Sequence, residues 1–280
     1  MDGKSTPARL QIVARLSTSV IMPPVNDAPP AASADSDLPA LQKVSPWHAG
    51  LAAARANLLP GVVLSVFAVG LLLAFELHGP THAWMQRMGE WKLRLGWPFA
   101  VLSTALFGGV IPGLVQRMRP ALRHTMPWPA LAFLAAFWGY KGLEVDLLYK
   151  LQAMLFGEGK DPVTIGQKIL LDMGIYCPIW AVPSTVLAYA YKDRRFKWRR
   201  ATEPIRRLGL WHWYTQVALP VIISNWAVWV PAVCVIYCLP LALQLPMQNL
   251  VLCFWSLLLV IQVQIADDEA DDSPASLPSP

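Results

Sequence analysis

Long stretches without charge limit what this chain can fold into. Residues 208–266 contain no Asp, Glu, Lys or Arg, and neither do residues 58–75, 97–115 or 173–191. A helix of about 20 apolar residues crosses the roughly 30 Å hydrocarbon core of a bilayer and forms its backbone hydrogen bonds within itself. Charged residues make up 15% of the chain, against about a quarter in soluble domains. The sequence therefore predicts an all-α, multi-pass membrane protein.

Composition divides the chain into three parts. Residues 1–56 are polar and rich in Pro, Ala and Ser, residues 57–265 hold the predicted transmembrane domain, and residues 266–280 form an acidic tail. The first twenty residues combine three basic residues with apolar residues at helical spacing, which is typical of an organelle transit peptide. A polar tail without regular structure is the alternative interpretation.

Five spans are predicted from the uncharged stretches and their flanking charges. Four of them cover residues 57–77, 97–116, 127–151 and 163–191, and the fifth lies within residues 208–266. Prolines interrupt that last stretch. We favour an interfacial helix followed by one broken span, because tryptophans near the start of the stretch suit a membrane interface. A hairpin of two spans is the alternative.

Basic residues indicate the orientation of the spans. Most Lys and Arg residues outside the predicted spans fall on the side of the N-terminus and of the basic loop at residues 192–207. Cytosolic loops carry an excess of such residues. This side is therefore predicted to face the cytosol or the organelle matrix.

Charged residues inside the predicted spans are candidates for function, because a charge at the bilayer centre costs about 3 kcal/mol or more. Lys168 and Asp172 are four residues apart and can pair on one helix face. Lys168 lies near a loop and can anchor the helix start, whereas Asp172 lies deeper. Both a buried structural role and a pore-lining role are open for Asp172. Lys141, Glu144 and Asp146 are expected to reach the interface at the end of the third span.

Small residues mark one face of the second span. Residues spaced by four form a polar stripe that comprises Thr104, Gly108, Pro112 and Gln116. This stripe is expected to face protein or water, because a proline leaves a backbone carbonyl without its donor. Beside it lies a ridge that comprises Ala105, Gly109 and Gly113. Such a ridge permits close approach of a second helix.

Two segments carry a family resemblance. One is the stretch from Lys168 to Asp172 with a following Pro178, and the other is Asn225-Trp226 followed by Trp229 and a proline. In this order, with Thr104 and Gln116 in an earlier helix, they resemble the membrane family that contains the twenty-two-kilodalton peroxisomal membrane protein and the mitochondrial protein Mpv-seventeen. The resemblance covers about residues 91–259. Met173 stands where the family has Gln, and Gln244 stands where an Arg usually follows a Val-Pro pair.

The resemblance implies a bundle of four family spans, preceded here by one additional N-terminal transmembrane helix. It also implies a pore- or channel-like protein for small solutes or ions in an organelle membrane. A non-conducting scaffold or adaptor is the alternative. The basic N-terminal segment favours the mitochondrial inner membrane over the peroxisomal membrane. The expected partners are membrane lipids and a small solute or ion, with a homo-oligomer as an option and no nucleic acid.

The candidate pore-lining or family-motif residues are Thr104, Gln116, Lys168, Asp172, Pro178, Asn225, Trp226, Trp229 and Gln244. The sequence contains no recognisable phosphate loop, nucleophile elbow or zinc-binding histidine pair. We therefore expect no catalytic residues, no cofactor and no metal site, and no enzymatic activity. The four cysteines lie in apolar segments and are interpreted as small hydrophobic residues.

Overall fold

The computed structural model describes residues 45–120 and 122–271, with side chains as far as residue 260, and all regular structure in this part of the chain is helical. The main helices are α1 (Pro46–Ala56), α2 (Leu58–Leu77), α3 (Gly79–Leu95), α4 (Trp97–Met118), α5 (Trp128–Phe156), α6 (Pro162–Asp193), α7 (Leu210–Tyr237) and α8 (Leu241–Asp271). The segment interpreted as a transit peptide lies outside the described residues, as does most of the acidic tail.

Five helices are long and apolar enough to cross a membrane. They are α2, α4, α6, α7 and the part of α8 from Leu241 to Val260. The predicted all-α membrane bundle is thereby confirmed. The third predicted span also forms a helix, α5, which continues to Phe156. Its four charged residues make α5 less apolar than the other five, although it packs along the length of α4.

The last uncharged stretch forms two long helices. The favoured interpretation, an interfacial helix before one broken span, is wrong for residues 208–266, and the hairpin alternative is right. The chain reverses between Tyr237 and Leu241, where Pro240 has no N–H to continue the helix. The tryptophans were misleading as interface markers. Only Trp211 is strongly exposed, at 77%, whereas Trp213 and Trp229 are buried in the core.

The contact between α4 and α5 depends on glycine. A Cβ atom on Gly109 would lie 2.9 Å from the backbone of Leu134 and Ala135, so the two helix backbones approach as closely as glycine allows. Gly113 faces Leu131 in the same way. The predicted ridge of small residues therefore holds two antiparallel helices together, as the sequence indicated.

Widened helical turns accompany the prolines of three long helices. The π-helical segments Ala105–Val110, Leu170–Ala181 and Tyr214–Ala218 each contain a proline or end within two residues of one. A proline ring collides with the carbonyl one turn earlier and provides no N–H. Widening the turn relieves this collision, and such adjustments are how spanning helices tolerate proline.

A buried ion-pair network fixes α3 against the bundle. Asp146 is 1% exposed and lies 3.0 Å from the Lys92 Nζ atom and 2.6 Å from the Lys150 Nζ atom. Lys92 also donates to the carbonyl of Leu241, 3.1 Å away. Asp146 is thus buried with two ammonium groups that compensate its charge. Its position near the membrane interface stays a prediction.

We predict that Gly109→Ala destabilises the protein by about 1–3 kcal/mol, the usual cost of overpacking a tight contact. The backbone atoms that its Cβ would meet have no rotamer to change. The matched control is Gly70→Ala in α2, where no atom lies within 4 Å of the added Cβ. Thermal unfolding in detergent, followed by labelling of the free cysteines, measures both. Equal melting temperatures for the two variants would contradict the close α4–α5 contact.

Candidate functional site

A cavity of about 280 Å³ lies between α5, α6, α7 and α8. Its volume is just under the roughly 300–1,000 Å³ of sites for drug-sized ligands, so it suits a small solute. Apolar and aromatic side chains form most of the wall. The polar lining residues are Asn57, Lys141, Tyr149, Asp172, Tyr176, Thr185, Ser224, Asn225, Gln248 and Ser256.

Helix α6 forms the longest wall of the cavity. Its lining residues run from Asp172 to Tyr189. At a rise of 1.5 Å per residue this separation corresponds to about 25 Å along the helix axis. The hydrocarbon core of a bilayer is about 30 Å thick. The lining residues of α6 are therefore spread over much of the length that a membrane would cover.

Two prolines in α6 determine how α7 packs against it. In a π-helical segment each N–H bonds to the carbonyl five residues earlier. Pro178 and Pro183 have no N–H, so the carbonyls of Met173 and Pro178 lose their donors. Side chains of α7 replace both. Trp226 Nε1 donates to the Met173 carbonyl, 2.8 Å away, and the Tyr214 hydroxyl donates to the Pro178 carbonyl, 3.1 Å away.

Asp172 lies at one end of the cavity. It is 5% exposed, and its Oδ2 atom accepts a hydrogen bond from the Tyr237 hydroxyl. The ring of Tyr149 packs edge-on against Tyr237, with centroids 5.6 Å apart, and its hydroxyl donates to Gln248 Oε1, 2.9 Å away. Among the described residues, no cationic group lies within 4 Å of this carboxylate.

Lys168 does not form the anticipated pair with Asp172. Its side chain is 2% exposed and forms no ion pair among the described residues. The Lys168 carbonyl accepts from Gln152 Nε2, 3.1 Å away. The spacing of four residues allowed a pair, but Asp172 bonds to Tyr237 of α7 instead.

A second charged group lies near the middle of α5. Lys141 Nζ is 2.6 Å from Glu144 Oε2 and 2.8 Å from Ser184 Oγ. Glu144 also accepts from the Tyr176 hydroxyl at 3.1 Å and from Trp180 Nε1 at 2.5 Å. The side chains of this pair are 5% and 12% exposed, so the pair is buried between α5 and α6. Its position near the membrane interface stays a prediction.

Asn57 and Ser224 line another part of the cavity. Asn57 Nδ2 donates to Ser224 Oγ, 2.9 Å away, and the Asn57 Oδ1 atom is buried without a hydrogen-bond partner in the described part of the chain. Nearby in sequence, Asn225 Nδ2 donates to Cys177 Sγ, 3.3 Å away. Cys177 is a free thiol, as are the other cysteines.

The nine sequence-derived candidates fall into two groups. Asp172, Asn225 and Trp229 line the cavity, and Pro178 and Trp226 join the same two helices beside it. The other four lie elsewhere. Thr104 bonds to Asn249 between α4 and α8, Gln116 bonds to Thr125 at the end of α4, Gln244 bonds to the Leu239 carbonyl, and Lys168 lies near the loop.

Several cavity residues were missed by sequence reasoning. Tyr149 and Ser224 were not among the nine candidates. Gln248 had a visible signal, because an amide side chain inside an uncharged helix requires a partner. Comparison of the chain with models of protein families, with curated proteins and with solved structures found no match in any of the three.

We predict that Trp226→Phe destabilises the protein by about 1–3 kcal/mol, since it leaves the buried Met173 carbonyl without a donor. In a Pro178→Ala background the restored N–H can bond to that carbonyl, and the penalty of Trp226→Phe should fall. Melting temperatures of the four proteins in this double-mutant cycle measure the coupling. Trp211→Phe, at an exposed position, is the control. Additive effects of the two substitutions would contradict the assigned hydrogen bond.

Proposed function

We propose that this multi-pass membrane protein is a pore- or channel-like protein that passes small solutes or ions through the cavity between α5, α6, α7 and α8. The observation that carries the proposal is the spread of cavity-lining residues along α6, from Asp172 to Tyr189, which corresponds to at most about 25 Å of helix. Lining residues spread over this distance are what a path through the hydrocarbon core would require.

Charged groups in the cavity wall support the same proposal. A charge inside a spanning segment costs about 3 kcal/mol or more unless it is compensated, and such residues commonly mark a path for ions or solutes. Asp172 and Lys141 both line the cavity. Helix packing alone does not require either charge, since an apolar side chain of similar volume would fill the same space.

The proposed organelle and the proposed family rest on the sequence alone. The order of the Lys168 to Asp172 and Asn225 to Trp229 segments resembles the family of Mpv-seventeen and the peroxisomal membrane protein. The basic N-terminal segment favours the mitochondrial inner membrane. Imaging of a tagged chain with and without its first 40 residues tests this. Loss of mitochondrial targeting on truncation is the expected result, and a peroxisomal signal for the full chain would contradict it.

A non-conducting scaffold is the second candidate function, and one observation favours it. Several polar side chains of the bundle are already paired with one another away from the cavity. Asn249 accepts from Thr104 at 2.8 Å and donates to Ser103 at 2.9 Å, which joins α8 to α4. Bonds of this kind stabilise helix packing without any path for a solute.

We predict that purified protein in planar bilayers gives a conductance whose preference for cations over chloride falls in Asp172→Asn, because the substitution removes the carboxylate from the cavity wall. The readout is the reversal potential under a salt gradient. Absence of conductance from folded protein at all voltages and pH values would exclude the pore and favour the scaffold.

Asp161→Asn is the matched control for this experiment. Asp161 is exposed at the start of α6, where its carboxylate accepts from the backbone N–H groups of Val163 and Thr164. Asparagine caps a helix as well as aspartate does, so the fold should not change. An equal effect of the two substitutions on selectivity would show that charge outside the cavity determines it, and would contradict the cavity as the path.

A further inference from the structure

We propose that the cavity is selective for small organic cations that carry an ammonium group, with Asp172 as their counter-ion. The proposal deepens the proposed function and depends on it, because the cation is taken to be the solute that the cavity carries. It follows from the balance of charges, of hydrogen-bond donors and of aromatic rings around the cavity.

The charge balance of the cavity wall is negative. Lys141 is neutralised by Glu144, 2.6 Å away, so this pair contributes no net charge. Lys168 does not line the cavity and forms no ion pair with Asp172 among the described residues. Asp172 therefore retains an uncompensated carboxylate in the part of the chain that the structure describes. A carboxylate in such surroundings favours a mobile cation beside it.

The hydrogen-bonding group left over beside Asp172 is an acceptor. The hydroxyls of Tyr149 and Tyr176 donate to Gln248 and Glu144. Asp172 Oδ1 has no hydrogen-bond donor among the described residues, in contrast to Oδ2. A solute that carries an ammonium group satisfies this oxygen, whereas a chloride or phosphate ion would be repelled by the carboxylate.

Aromatic rings surround the carboxylate. Tyr149 and Tyr237 pack edge-on near Asp172, and Tyr176 and Trp229 also line the cavity. Aromatic faces attract organic cations, and this attraction grows when water is excluded. A bare metal ion would need more oxygen ligands than this wall offers. The combination of one carboxylate with aromatic rings fits an alkylammonium.

The test uses propylammonium chloride as the probe and the full-length protein in detergent. A ligand that binds only the folded protein raises its melting temperature by an amount that grows with the ratio of ligand concentration to Kd. We expect propylammonium to raise the melting temperature, whereas 1-propanol, similar in size but uncharged, and sodium chloride at the same concentration should not. If propylammonium and 1-propanol changed the melting temperature of the wild-type protein equally, the proposal would be overturned before any substitution is tested.

Substitutions at Asp172 test whether this carboxylate binds propylammonium. In Asp172→Asn the apparent affinity for propylammonium should fall by about tenfold or more, which corresponds to ~1.4 kcal/mol of lost attraction. The amide keeps the shape of the side chain and still accepts from Tyr237. Asp172→Glu should retain binding, because it keeps the charge, and Asp161→Asn should leave it unchanged. Unchanged affinity in Asp172→Asn would overturn the role of this carboxylate.

Uptake into liposomes separates this proposal from the pore itself. Entry of propylammonium in preference to chloride and urea supports both. Entry of chloride or urea without propylammonium overturns the cation selectivity and leaves the pore in place. If no solute enters, the pore is excluded, and a melting-temperature shift that depends on Asp172 would still support a cation-binding cavity.

Discussion

Every backbone carbonyl inside a bilayer needs a donor from the protein itself, and the central part of this structure depends on that requirement. The prolines of α6 remove two donors, and the widened turn that accommodates them leaves the carbonyls of Met173 and Pro178 open. Trp226 and Tyr214 supply the missing donors from α7. These two bonds hold α7 beside the irregular wall of α6, where the cavity lies. The prolines thus create both the irregular wall and the reason for α7 to cover it.

The bundle compensates its buried charges to different degrees. Asp146 has two ammonium partners, and the Lys141–Glu144 pair has its own countercharge together with polar side chains from α6. Asp172 has only the hydroxyl of Tyr237. The carboxylates of Asp146 and Glu144 therefore each have at least one ammonium partner within the protein, as buried charges require. Asp172 differs in that it lines the cavity without an ammonium partner among the described residues, and this difference is what the proposed transport function rests on.

Sequence reasoning succeeded where a local rule was sufficient. The uncharged stretches predicted the spanning helices, and the spacing of Gly109 and Gly113 predicted a close helix contact, which α5 provides. It failed where the outcome depended on distant parts of the chain. Lys141 and Glu144 were expected to extend towards the membrane interface, and the sequence did not show that Ser184 and Trp180 of α6 bond to them and bury them. Trp213 and Trp229 were taken as interface residues because the sequence does not show which side of α7 faces the other helices.

The sequence by itself determined the class of the protein, because hydrophobic length and the absence of charge are properties of each segment alone. It also identified Asp172 and Asn225 as candidates, since a polar side chain in an apolar run is visible without any structure. Only the tertiary structure determined which groups these two side chains contact. Spacing allowed Lys168 to pair with Asp172, yet Tyr237 of α7 is the group that reaches the carboxylate. Contacts between residues so far apart in the chain depend on how the helices pack, and no local pattern encodes that arrangement.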